Sequence, residues 1–336
     1  MLRFASMKSI FSTLLAAALL VEAAPPVRVI FDTDIGNDID DALAFAMLHA
    51  FESRGEAKLL AVTITKDNRY APVYADLVNH FYGRPRIPIG VVKGGKTPED
   101  SAYLRVPAER RSADGKPVYP RRITDASKVP DAVEVLRGTL SAEKDGAVTI
   151  VQVGFFTNLA RLLDSPGGRD LVAKKVRLLV LMAGEFPTGK AEYNVKIDLA
   201  ASQKVIAGWP TPIVSSGFEI GKSILYPATA IENHFRYVEF HPIADGYRLY
   251  KKMPYNRETW DLTAVYFAVR PQAPFTVSRK GWIRVNGQGV TTFDADPKGR
   301  HQYLIVDAQG RLKAREEFVM LSSRPPDRLA GVPLRY

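Results

Sequence analysis

The 336-residue chain contains no cysteine. That absence excludes disulfides, thiolate nucleophiles and cysteine–zinc sites, and a chain of this length can bury enough core to do without cross-links. After the N-terminal segment there is no second long apolar run, so nothing later in the chain reads as a membrane span. There is no stripe of basic residues interleaved with aromatics, although the formal net charge is +10. The pairs Arg110-Arg111 and Arg121-Arg122 are the only local concentrations of positive charge, and the rest reads as a solvated surface rather than a nucleic-acid footprint. Internal repeats and low-complexity tracts are missing too.

What remains is an ordinary globular composition, 46% hydrophobic and 24% charged, enough for one large α/β domain or two small ones. Met1 to Ala24 has the build of a signal peptide. Arg3 and Lys8 give a positive start, Ile10 to Val21 an apolar run, and Val21-Glu22-Ala23-Ala24 a small-residue cleavage site. The expectation is a secreted or periplasmic protein, with the mature domain over residues 25–336 and no membrane contact once the leader is removed.

Strands and helices alternate. Val27-Arg28-Val29-Ile30-Phe31 and Leu59 to Ile64 read as buried strands, followed by a helix near Pro72 to Phe81 and a third strand over Ile87 to Val92. The rhythm breaks between Gly94 and Pro130, an irregular segment of the kind that is often functional. It resumes with a helix over Asp131 to Leu140 and strands at Val148 to Val153 and Val176 to Met182. An apolar helix follows over Asp261 to Val269. Such alternation implies an α/β fold, an open, mostly parallel twisted sheet with helices on both faces. From Gly281 onward short strand-like runs separated by glycines read as a small C-terminal β appendage, residues 281–336.

One stretch organises the chain. Between Asp32 and Asp41, in Asp32-Thr33-Asp34-Ile35-Gly36-Asn37-Asp38-Ile39-Asp40-Asp41, five carboxylates crowd the turn from the first strand into an alanine- and leucine-rich helix. That turn lies at the carboxyl end of a strand, where ligands bind in open α/β sheets. Five like charges in a cleft require protons or a cation. The helix dipole helps Asp40 and Asp41 by only about 1 kcal/mol, and carboxylate oxygens suit calcium or magnesium. Some of these aspartates could equally cap the helix or form an Asx turn.

The stretch resembles the N-terminal fingerprint of the inosine–uridine preferring nucleoside hydrolases, Asp-Thr-Asp-Pro-Gly-x-Asp-Asp-Ala. Ile35 stands where proline is usual, and two extra residues precede Asp40-Asp41-Ala42. Gly154-Phe155-Phe156-Thr157-Asn158 is similar to the family's Gly-Pro-Leu-Thr-Asn. Ala191-Glu192-Tyr193-Asn194-Val195 is similar to Ala-Glu-Phe-Asn-Ile, and Thr63 to Asn68 to a segment ending in a ribose-binding asparagine. Trp260-Asp261-Leu262 sits where His-Asp-Pro is common.

The resemblance implies a nucleoside hydrolase-like fold and hydrolysis of a ribonucleoside, purine-leaning, to free base and ribose. It implies calcium held by Asp34, Asp41, the Thr157 carbonyl and Asp261, with Asp34 as general base toward a water. Asp40, Asn68, Glu192 and Asn194 would fix the sugar, and Trp260 could stack on a base. The partner is then a small nucleoside, and homo-oligomers are common in the family. Trp260 in place of histidine leaves open a ribosyl-binding protein that has lost turnover. Asp32-Thr33-Asp34 after a strand also mimics the haloacid dehalogenase phosphohydrolase pattern, with Asp32 as nucleophile.

Overall fold

The computed structural model describes residues 24–329; the signal peptide expected over residues 1–24 falls almost wholly outside them. The strands run in chain order β1 Val27–Thr33, β2 Ala57–Lys66, β3 Ile89–Lys96, β4 Val148–Gln152, β5 Val176–Met182, β6 Thr188–Ala191 and β7 Ile213–Ser216. They continue with β8 Leu225–Tyr226, β9 Arg257–Glu258, β10 Thr276–Val277, β11 Gly281–Val285, β12 Val290–Ala295 and β13 His301–Ile305. Eleven of them form one sheet, ordered β3-β2-β1-β4-β5-β7-β13-β11-β12-β6 with β10 against β13. From β3 across to β13 every neighbour is parallel, and β11, β12 and β6 close the far edge antiparallel.

The α/β architecture is as the alternation implies. The C-terminal β strands expected from Gly281 onward are present, antiparallel among themselves, and β13 joins them to the central sheet by lying parallel beside β7. A helix over Ala308–Ser322 follows them, which the apolar pattern did not reveal. The segment after Gly94 also holds more structure than expected. It contains a helix, Ala102–Glu109, whose Tyr103 and Leu104 are buried.

Successive side chains of β1 enter opposite layers. Val29 and Phe31 join the core under the helices Asp40–Ser53 and Trp260–Val269, and Ile30 joins the core on the other face. Both of those helices are apolar on all sides and buried nearly throughout, as expected of elements enclosed within a large domain.

The strand order reverses direction between β1 and β4. The chain winds outward from β1 through β2 to β3, and from β4 through β5 to β7 the other way. The crevice beyond the carboxyl ends of β1 and β4 is therefore the topological switch point, the preferred ligand site of such sheets.

Candidate active site

The acidic turn leaves β1 directly into that crevice. Asp34, Asp38, Asp40 and Asp41 line a cavity of about 80 Å³. Opposite them stand Asp261 and Trp260 from the start of the buried helix, and Val153, Met182, Glu192, Tyr193, Asn194 and Phe218 complete the wall. Pockets for small-molecule ligands typically measure about 300–1,000 Å³, so this cavity is small beside them. Larger clefts of about 890 and 930 Å³ flank the helix Ala308–Ser322, away from the aspartates.

Two glycines permit the crowding. Gly36 has φ +121°, in the region open to glycine, and a Cβ there would lie 2.5 Å from Leu104 and 2.7 Å from Lys66. A Cβ on Gly154 would lie 2.5 Å from the Asp34 nitrogen, so glycine lets the turn after β4 press on the Asp34 backbone. Tyr103 braces the same turn by donating its hydroxyl to the Asp38 carbonyl and accepting from the Gly36 amide.

Each carboxylate has its own company. Asn37 donates to Asp34 Oδ2 at 2.8 Å, and the buried Lys66 ammonium donates to Asn37 Oδ1 at 2.8 Å and to the Thr97 carbonyl at 2.6 Å. Asp40 Oδ1 accepts from Arg257 Nε and Nη2 at 3.3 and 3.1 Å, and its Oδ2 accepts from the Asp261 amide at 3.2 Å. Arg257 also reaches Asp38 Oδ2 at 2.9 Å, and Tyr250 donates to Asp38 Oδ1 at 2.7 Å. Thr33 donates to Asp41 Oδ1, whereas Asp41 Oδ2 is buried with no hydrogen-bond partner.

Burial governs the electrostatics. It pushes the Asp34 carboxyl up to about 8, helped by the like charges of Asp38 and Asp40 and opposed by the Asn37 hydrogen bond. Burial likewise raises Asp41 and Asp261 well above the ordinary range, and neighbouring aspartates add to both. Asp40 rises only to about 6, because Arg257 counters its burial. Arg257 thus compensates Asp38 and Asp40, whereas Asp34, Asp41 and Asp261 form no direct ion pair among the described residues. Among the described residues no three acidic or histidine side chains form a ready-made coordination group. These three line the cavity without closing into a shell.

The remaining expected site residues divide. Glu192 and Asn194 lie on the cavity wall. The Glu192 carboxylate also caps the helix Tyr193–Ile197, accepting from the Asn194, Val195 and Gly184 amides at 2.8–3.2 Å. Asn194 donates to the Val153 and Met182 carbonyls, both at 3.1 Å. Trp260 lines the cavity too, but Phe218 stacks on its ring at 5.3 Å and the Arg257 guanidinium lies over it at 4.9 Å.

Thr157 and Asn68 are not on this wall. Thr157 opens the helix Thr157–Asp164 and donates to Asp198 at 2.5 Å, and Val153 is the residue beyond β4 that faces the cavity. Asn68 donates to the Pro98 and Glu99 carbonyls and to Asp100, at 2.9–3.2 Å. It thereby ties down the segment that follows β3.

Asp32 is excluded as a nucleophile. It is fully buried, accepts from Thr63 at 2.6 Å and Asn158 at 2.8 Å, and has no place on the cavity wall. The haloacid dehalogenase reading therefore fails on geometry. Sequence reasoning missed Arg257, Tyr250, Lys66 and Val153. A lysine at the end of an apolar strand was a signal for Lys66. No local pattern marked Arg257 or Tyr250.

The family profile described as "Inosine-uridine preferring nucleoside hydrolase" matches residues 29–317. An uncharacterized protein of Schizosaccharomyces pombe is 29% identical over 210 residues, covering 58% of this chain and 62% of its own length; the chain thus spans less than two thirds of that relative. Among solved structures, an inosine-uridine preferring nucleoside hydrolase from Bacillus anthracis superposes with a TM-score of 0.65 at 20% identity, over 88% of this chain and 99% of its own. A purine-preferring ribonucleoside hydrolase from Gardnerella vaginalis gives 0.62 at 18% identity, over 88% and 99%. At those identities the two structures establish the fold alone.

Proposed function

We propose that this chain, which belongs to the inosine–uridine preferring nucleoside hydrolase family, hydrolyses the N-ribosidic bond of ribonucleosides, purines foremost, to free base and ribose. The observation that carries the reading is the meeting of Asp34, Asp40, Asp41, Glu192, Asn194, Trp260 and Asp261 on one cavity at the switch point of the sheet. These residues come from three segments far apart in the chain, and capping or loop roles would not bring the segments together.

Calcium fits the donor set. The three carboxylates without a direct ion pair, one of them with a buried and unpartnered oxygen, are hard oxygen ligands whose charge suits a divalent ion. Asp34, Asp41 and Asp261 would hold it. The main-chain oxygen assigned to Thr157 by resemblance is better sought at Val153, which faces the cavity. When bound, such an ion grips vicinal hydroxyls and lowers the pKa of water.

The chain's own residues supply the rest. Asp34 has one oxygen fixed by Asn37, so its other oxygen is free to take the proton of the attacking water. Asp40 is kept largely ionised by Arg257 and accepts from a sugar hydroxyl. The Asn194 amide hydrogens are donated to main chain, leaving its side-chain oxygen for the sugar. The ring of carboxylates favours an oxocarbenium-like transition state. Trp260 and Phe218 form the apolar side on which a purine would rest, and this supports the purine leaning.

Free ribose should appear from inosine or guanosine without added phosphate, and Asp34→Ala or Asp41→Ala should abolish it. Ribose release untouched by either change would refute the assignment. Nucleoside binding seen by calorimetry without any product would instead favour the binding-protein reading. Export from the cytoplasm is proposed on the leader sequence alone; an intact Met1 on protein recovered from cells would refute it.

A further inference from the structure

Breaking an N-ribosidic bond leaves its electron pair on the departing base, so some group must present a hydrogen to it. The five histidines are at positions 49, 80, 234, 241 and 301, and none of them lines the cavity. The side-chain N–H groups on the wall are already donated. Trp260 Nε1 donates to the Phe218 carbonyl at 3.0 Å and the Asn194 amide to Val153 and Met182, while Arg257, outside the wall, pairs with Asp38 and Asp40. Tyr250, behind the wall, donates to Asp38.

Tyr193 is different. It lines the cavity between Glu192 and Asn194, 42% exposed, and its hydroxyl makes no hydrogen bond among the described residues.

Resting on the hydrolase reading above, we propose that Tyr193 is the catalytic residue that donates a hydrogen to the leaving base. As the C1′–N bond breaks, its electron pair moves onto the base nitrogen and the tyrosine proton passes there. The phenolate regains a proton from solvent, which reaches the exposed ring. Water forms the new C1′–O bond and loses its proton to Asp34.

The test compares two substrates in wild type and Tyr193→Phe. Inosine needs its base protonated, whereas 4-nitrophenyl riboside releases an anion stable without a proton. The variant should lose about 10²-fold or more in kcat on inosine and keep nitrophenyl riboside turnover within about threefold, which also shows that it is folded. An equal loss on both substrates, or no loss on inosine, overturns the assignment of Tyr193 and leaves the hydrolase reading standing. A wild-type protein that releases no ribose from either substrate overturns both.

Discussion

Stripping divalent cations from this protein should make its stability fall as pH rises, and calcium should cancel that fall. The reason lies in the buried carboxyls. The Asp34 carboxyl has an ordinary value of 3.8 and is pushed to about 8 in the folded chain; Asp41 and Asp261 are raised in the same direction. Between those values the folded chain holds protons that the unfolded chain has released. A raised folded value contributes stability that is complete below the unfolded value and lost as pH climbs through the folded one.

For Asp34 alone the full span is worth on the order of 6 kcal/mol as a ceiling. Asp41 and Asp261 interact with it and do not add in full. Buried histidines act in the opposite sense. Burial lowers His241 to about 3 and His301 to about 4, so their contribution is complete above about 6.5 and is lost as pH falls toward those values.

The raw pH profile therefore mixes two slopes, and the clean quantity is the difference between calcium-loaded and chelated protein at each pH. By thermal unfolding that difference should be small near pH 5 and widen to about 5–10 °C near pH 8, taking a recovery of a few kcal/mol at about 2–4 °C each. A calcium increment equally large at both ends, or none at any pH, would refute the linkage of these carboxyls to one ion.

Other perturbations follow from the same contacts. Arg257→Met strips the cation from Asp38 and Asp40 and should cost about 3–5 kcal/mol in chemical denaturation. Adding Asp38→Asn in that background should recover part of the loss, and a cost below about 1 kcal/mol would show that the pairing is not what holds the turn. Gly36→Ala places a Cβ against Leu104 and Lys66 at a φ suited to glycine. It should cost about 1–3 kcal/mol and weaken ribose release, and a fully stable, fully active variant would count against the tight turn.

Much of the site was legible because its parts sit at the ends of periodic elements. Asp34 and Asp41 follow a strand buried on both faces, Asp261 opens an apolar helix, and Glu192 and Asn194 lie at the start of a short helix whose amides the glutamate caps. Thr157 and Asn68 show the limit of that reasoning. Each lies at the end of the expected element, yet Thr157 turns to Asp198 and Asn68 to the strap over Pro98–Asp100. A strand end fixes where a residue is to within a turn, but its rotamer and the path of the next loop decide what it faces.

The alternation of the central strands and helices, the acidic turn at a strand's carboxyl end and the resemblance to a family were legible in the sequence alone. Patterns of period two and 3.6, and short motifs at fixed spacing, are written in neighbouring residues. Which charges compensate which was decided only by the tertiary structure. Arg257 meets Asp40 across 217 positions of chain and Tyr250 meets Asp38 across 212, and no local signal connects them. An ion pair depends on distance in space and on exclusion of water. Both are set when the turn from the first strand packs against the start of the buried helix, and neither exists in the unfolded chain.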